Sequence, residues 1–271
     1  MRLVGLRPVV GLLTDFGTRD HYVGAVKGAI LAVCPDAALV DVTHEVAPQD
    51  IAEGAFALAA AYRAFPRGAT FVAVVDPGVG TARRPMALEA GGYCFVGPDN
   101  GIFTFVLADH PGAVAHEITS HSFFRDEVSA TFHARDVFGP VAGHLAGGMP
   151  LDRVGPHLLS PVRLPVPEVR QTGEGWEAAV VHVDRFGNMT TNLRSAALDA
   201  ILESVQGGRK GISVVARDRP LPLVRTYGDV PEGEACALLG SSDRLEIAVN
   251  RGSAAARFGA GVGTPVRILR A

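Results

Sequence analysis

Thr70-Phe71-Val72-Ala73-Val74-Val75 runs directly into Asp76-Pro77-Gly78-Val79-Gly80-Thr81-Ala82-Arg83-Arg84. A continuously apolar, β-branched run bounded by turn residues reads as a buried parallel strand. The loop after it begins with a carboxylate and ends with two guanidinium groups. Gly78 and Gly80 permit a positive φ or a close backbone approach. Ligands of open α/β sheets sit beyond the carboxyl ends of the strands. Asp76 and Arg83 are therefore parts of a site or an ion pair closing a tight loop, and this stretch alone leaves both readings open.

The same strand–loop–helix pattern extends in both directions. Val9 to Leu13 reads as a first strand, followed by Thr14-Asp15-Phe16-Gly17-Thr18-Arg19-Asp20 and a helix over 21–32, with Asp20 a candidate N-cap. Ala38 to Val42 reads as a second strand, then Thr43-His44-Glu45 and an alanine-rich helix over 50–64. Beyond the Asp76 loop, Met86 to Glu89 and Tyr93 to Val96 form a hairpin pattern around Gly91-Gly92. Gly97-Pro98-Asp99-Asn100-Gly101 is a turn cluster preceding a short helix over 102–107, and a strand is expected over 116–119. His133 lies just before a buried helix over 137–146, where Asp136 reads as a first-turn charge favoured by the helix dipole.

These units predict a doubly wound α/β domain over 1–160 and a proline-rich linker over 161–170. The pattern then changes. Short strands are expected at 178–183, 212–216, 235–239 and 245–249, with one helix at 196–204, which predicts a small β-barrel over 171–271. Asp184-Arg185-Phe186-Gly187-Asn188 and the turn Ser241-Ser242-Asp243 could be turn chemistry or ligand contacts.

Composition narrows the function. The 271 residues carry a net charge of −3, giving no basic surface for nucleic acid. The 32 glycines exceed the usual ~7% share and imply many tight turns. The 3 cysteines, Cys34, Cys94 and Cys236, are odd in number and widely spaced, so neither a disulfide framework nor a thiolate metal site is expected, and a cytoplasmic setting fits. No signal peptide, membrane span or Walker A motif is read. Gly-x-Ser-x-Gly is missing as well.

In a parallel sheet, the loops after Leu13, Val42 and Val75 share one edge. They would gather Asp15, Asp20, His44, Asp76 and Arg83, with His133 joining them. An acid, a guanidinium and an imidazole suit the orientation of a water molecule. Hydroxide is scarce at neutral pH because water has a pKa of about 15.7, so the electrophile must already be activated.

Several strings together resemble the S-adenosyl-L-methionine (SAM) hydroxide adenosyltransferases, relatives of the fluorinase and chlorinase enzymes. They are Leu13-Thr14-Asp15-Phe16-Gly17 with Asp20, Asp41-Val42-Thr43-His44, Val75 to Thr81, Gly97 to Gly101, Thr131 to Asp136, Phe186-Gly187-Asn188, and Gly240-Ser241-Ser242 with Leu245 to Asn250. The resemblance runs through essentially the whole chain. It implies a Rossmann-like N-terminal α/β domain, a C-terminal β-barrel and a homotrimer with sites between the N-terminal domain of one subunit and the C-terminal domain of the next. It also implies hydrolysis of SAM to adenosine and methionine with no cofactor and no metal. The family triad falls on Asp76, Arg83 and His133. Ribose contact falls on Asp15, and the amino acid end of methionine on Asp20, Asp184, Ser241 and Ser242. Adenine falls on Asn188 and the backbone near Val249 and Arg251, and Glu246 is a further substrate contact by the same resemblance.

The fluorinase type carries an aromatic hydroxyl where Asp76 stands. A carboxylate repels halide and accepts a hydrogen bond from water, so hydroxide is the expected nucleophile. Two rivals are a metal-dependent hydrolase built on Asp15, Asp41, His44 and Asp76, and a non-catalytic protein that binds an adenosyl ligand.

Overall fold

In the computed structural model, which describes residues 7–270, the apolar run becomes strand β3 (Thr70–Val74), every residue of it buried. It pairs in parallel with β1 (Val9–Thr14), which pairs in parallel with β2 (Ala38–Thr43). On its other side β3 pairs in parallel with β5 (Tyr93–Pro98). The hairpin strand β4 (Pro85–Ala90) and β6 (Val114–Glu117) are antiparallel, so the sheet is mixed, in the order β2-β1-β3-β5-β4-β6.

Period-two alternation buries both faces. Val10, Leu12, Val72 and Val74 pack with α1 (Tyr22–Val33) and α4 (Gly139–Ala146). Leu13, Phe71, Ala73 and Val75 pack on the opposite face with α2 (Ile51–Ala61) and α3 (Thr104–Asp109). Asp50 caps α2 by accepting from the Glu53 N–H.

Several local expectations shift. His21, not Asp20, occupies the N-cap of α1, and no side chain caps that end. The strand expected at 116–119 forms two residues earlier because Val114 to Glu117 pairs with β4. Asp136 does more than face a helix dipole. Its side chain is wholly buried, held by Arg135 Nε at 2.6 Å and by the Ser129 N–H at 2.9 Å. Burial opposes its ionisation, but the bonds from Arg135 and Ser129 and the charges of Arg135 and Arg125 outweigh burial and hold its pKa below the usual carboxylate range.

The chain divides into two compact units, Met1–Leu164 and Pro165–Ala271. The end of the first is tied down by Asp99, whose Oδ1 accepts from the Val162 N–H at 2.7 Å while its Oδ2 takes Arg84. The Leu164 N–H donates to Thr104 Oγ1 at 2.8 Å.

The second unit is an antiparallel, nearly closed barrel. It contains β7 (Arg170–Gln171), β8 (Gly175–Val183), β9 (Met189–Arg194), β10 (Ile212–Ala216), β11 (Arg219–Leu221), β12 (Ala235–Leu239), β13 (Arg244–Val249) and β14 (Pro265–Arg270). Their order is β11-β10-β14-β8-β9-β13-β12, with β7 paired to β8, and a bridge from Leu223 to Ala237 joins the two ends. Strand β9 was missed in the sequence because Met189-Thr190-Thr191-Asn192-Leu193 looks polar. Thr190 and Thr191 are nevertheless buried, and Thr191 Oγ1 donates to the Leu245 carbonyl at 2.8 Å. Helix α5 (Ser195–Ser204) matches its expectation, while the short α6 (Ala254–Phe258), capped by Ser253, is an addition.

Candidate active site

The strand order places β2 and β3 on opposite sides of β1, so the crevice beyond β1 and β3 is a topological switch point. Thr14 pairs with Val74, so Asp15 and Asp76 leave the same sheet edge on adjacent strands.

The Asp76 loop folds back on itself. Arg83 Nε donates to both carboxylate oxygens of Asp76 at 3.0 Å, and Arg83 Nη2 reaches Oδ2 at 2.5 Å. The two side chains are only 10% and 6% exposed. Arg83 Nη2 also donates to His133 Nδ1 at 2.9 Å. The three groups from loops 50 residues apart thus form one chain, acid to guanidinium to imidazole. The guanidinium stacks on the Phe138 ring at 5.2 Å. Phe138 ends a π-helical turn, Ala134–Phe138, whose N-cap is His133.

Arginine can only donate, so His133 Nδ1 accepts and its ring proton lies on Nε2. Burial and the Arg83 charge lower the His133 pKa, with Asp76 and Asp136 opposing. The imidazole is therefore neutral at physiological pH. A group with a depressed native pKa binds fewer protons folded than unfolded, so its contribution to stability rises with pH between that lowered value and the ordinary ~6.5. We expect activity to be flat through neutrality and to hold past the ordinary ~6.5, falling only as acidification reaches the lowered His133 value. A pH profile of the wild type against His133→Gln checks this, since the acid limb must disappear or move in the variant.

Gly80 brings the two loops together. Its φ is +75°, and a Cβ there would lie 2.5 Å from the Ala130 carbonyl oxygen. Gly80→Ala is expected to push the His133 loop away and reduce turnover at least ~10-fold, because misplacing a reacting group by about 1 Å can cost 10²-fold. Turnover by the purified, folded variant checks it. Phe132 adds a second link, meeting Phe16 at 6.1 Å and Tyr22 at 5.3 Å between ring centroids. The second arginine has a separate task, donating to the buried Asp99 at 2.9 Å through Arg84 Nε.

Asp15 Oδ2 accepts from the Gln49 N–H at 2.8 Å, and Asp20 is exposed on the same β1–α1 loop. His44 is buried, with Nδ1 against Thr14 Oγ1 at 2.8 Å and Nε2 against Asp41 Oδ1 at 3.0 Å. Both of its nitrogens are thus engaged, Asp76 is taken by Arg83, and the donor set proposed for a metal hydrolase does not fit a metal. Among the described residues no group of three or more His, Cys, Asp or Glu is arranged to hold one.

In the barrel, Asp184 closes its own turn by accepting from the Phe186 and Asn188 N–H groups at 2.9 and 2.8 Å and from Asn188 Nδ2 at 3.0 Å. Ser241 and Ser242 lie in the β12–β13 turn. Val249 is buried at the end of β13, while Arg251 is exposed, has φ +55° and pairs with Glu232 at 3.0 Å. Glu246 is buried and accepts from Tyr227 Oη at 2.8 Å. Burial, reinforced by the Asp184 charge and opposed by the Tyr227 bond, raises the Glu246 pKa. Burial together with the bond and charge of Glu246 pushes the Tyr227 phenol up as well. Sequence reasoning missed Tyr227, whose only signal is that it is one of 4 tyrosines in the chain.

Residues 10–155 match the SAM hydroxide adenosyltransferase N-terminal domain, and residues 178–267 match the C-terminal domain of the same family. The chain belongs to the SAM hydroxide adenosyltransferase family. Within the family it is 42% identical to an (R)-S-adenosyl-L-methionine hydrolase of Thermus thermophilus, over 97% of this chain and 100% of that one. A fluorinase of Nocardia brasiliensis is similar at 30% identity, over 97% of each chain. Among solved structures, an uncharacterised conserved protein from Thermotoga maritima superposes with a TM-score of 0.89 at 36% identity, covering 96% of this chain and 100% of that one. Among the described residues no helix is long and apolar enough to cross a membrane.

Proposed function

We propose that this adenosyltransferase-family chain is an enzyme that hydrolyses SAM to adenosine and L-methionine by attack of water on C5′ of the ribose. The observation that carries the reading is the Asp76–Arg83–His133 chain at the switch point. The higher identity to a SAM hydrolase than to a fluorinase agrees with it.

The substrate is a sulfonium, so C5′ carries a leaving group that departs as a neutral thioether. A C5′–O bond forms as the C5′–S bond breaks, its electron pair going to sulfur. The proton lost from water passes to Asp76. His133 Nδ1 is occupied by Arg83, which favours Asp76 as the acceptor and leaves the Nε2 proton of His133 to orient the water oxygen. In-line alignment of this kind can contribute on the order of 7–11 kcal/mol.

In this reading Asp15 and Asp20 of the first unit take the ribose and the amino acid end. In the second, Asp184, Ser241 and Ser242 serve methionine, Asn188 with the backbone of Val249 and Arg251 serves adenine, and Glu246 is a further substrate contact. We further propose a cytoplasmic homotrimer, which light scattering coupled to size exclusion tests. The activity test is incubation of purified protein with SAM, with chloride or fluoride added in parallel. Adenosine and methionine in equal amounts are expected. Retained SAM, or a 5′-halogenated nucleoside as the main product, overturns the proposal.

A further inference from the structure

Strand ends β1 and β2 carry a second side-chain chain, running from a surface ion pair inward to a buried imidazole and hydroxyl. Asp41 Oδ2 pairs with Lys27 at 2.7 Å, and Asp41 Oδ1 lies 3.0 Å from His44 Nε2. A carboxylate only accepts, so Nε2 carries a proton toward Asp41, and Nδ1 lies 2.8 Å from Thr14 Oγ1 on the other side of the ring. The Thr14 oxygen in turn accepts from the Phe16 N–H at 3.3 Å. That last bond spans Asp15 and fixes the backbone on either side of it. Thr14 is 1% exposed and His44 4%, so the inner end of this chain is shielded from water, while its Asp41–Lys27 end lies at the surface.

Three further bonds join the same two loops. The Gly17 N–H donates to the His44 carbonyl at 2.7 Å, Thr18 Oγ1 to Glu45 at 3.1 Å, and the Gln49 N–H to Asp15 Oδ2 at 2.8 Å. Gln49 holds φ +70°, a left-handed conformation costly for a non-glycine residue, and its N–H is thereby committed to the carboxylate.

We infer that His44, with Thr14 and Asp41, is a positioning residue that presets the Asp15 carboxylate for the ribose hydroxyls. This rests on the assignment of Asp15 to the ribose. The chain makes no contact with the reacting atoms, so its loss affects substrate capture more than the chemical step.

The test compares Thr14→Val, Thr14→Ser, His44→Phe and Asp15→Ala in the full-length protein, reading KM and kcat for SAM and amide hydrogen exchange of the 15–18 segment without substrate. Thr14→Val and His44→Phe should raise KM about 10-fold, the cost of one lost buried hydrogen bond, with kcat changed far less. Exchange at Phe16 and Gly17 should accelerate, and Thr14→Ser should restore both readouts. Unchanged exchange and KM in Thr14→Val and His44→Phe, with KM raised in Asp15→Ala, overturn this inference and leave the proposed function standing. A KM insensitive to Asp15→Ala overturns it together with the ribose assignment. Accelerated exchange in a protein that releases no adenosine supports the stitching of the loops and removes the proposed reaction.

Discussion

Asp76→Asn should cut kcat for adenosine release by about 10²–10⁴-fold, the range associated with loss of a positioned proton acceptor. The change keeps the side-chain shape and one oxygen that can accept from Arg83, so the loop has no steric reason to move. What disappears is the negative charge that balances Arg83 and that, in the proposed mechanism, receives the proton, and a neutral amide is a far poorer base. Because the proposed mechanism has Asp76 act on the attacking water, KM for SAM should shift less than about 5-fold. Steady-state kinetics with adenosine quantified by chromatography decide the point. A kcat within 3-fold of wild type would mean that the proton goes elsewhere.

Arg83→Leu should be the most damaging single change to fold and site together. The guanidinium makes every polar contact that joins Asp76 to His133, and both its own side chain and that of Asp76 are nearly dry. Breaking such a pair from one side costs roughly 3–5 kcal/mol, because the remaining carboxylate is stranded. For a chain of this size that corresponds to a fall in Tm on the order of 10 °C. Turnover should fall with it, since His133 loses the bond that fixes its tautomer. The stability part is separable from the catalytic part. Asp76→Asn in the Arg83→Leu background should recover several degrees, as the stranded charge is removed, yet restore no activity. Calorimetry of the two single variants and the double variant closes the cycle.

The regular parts of this architecture were readable because periodicity reports burial. Continuous apolar runs gave β1 and β3, and the glycine pair gave the β4–β5 turn. What stayed hidden depends on partners far away in sequence. The composition of Thr190-Thr191 resembles a loop until the barrel interior supplies a carbonyl for the hydroxyl to reach. The metal-hydrolase rival counts His44 among its donors, whereas the fold gives the ring to Thr14 and Asp41 instead. Arg83 and Arg84 are indistinguishable as neighbours in a loop. Only the positions of Asp76 and Asp99 show that one serves the proposed site and the other braces its base. Residue types and spacing gathered several acids, a guanidinium and two imidazoles at one sheet edge, and the family resemblance singled out Asp76, Arg83 and His133, while their order of contact required coordinates.

The grip of Asp99 on Val162 and of Thr104 on Leu164 carries a practical consequence for dissecting this molecule. A cut made at the first prolines would shear off two backbone donors and leave a wholly enclosed acid answering to one cation alone. Expression of the first unit by itself should therefore keep the chain through Leu164, treating those last residues as a clasp on the turn after β5 and the start of α3 and not as disposable tether.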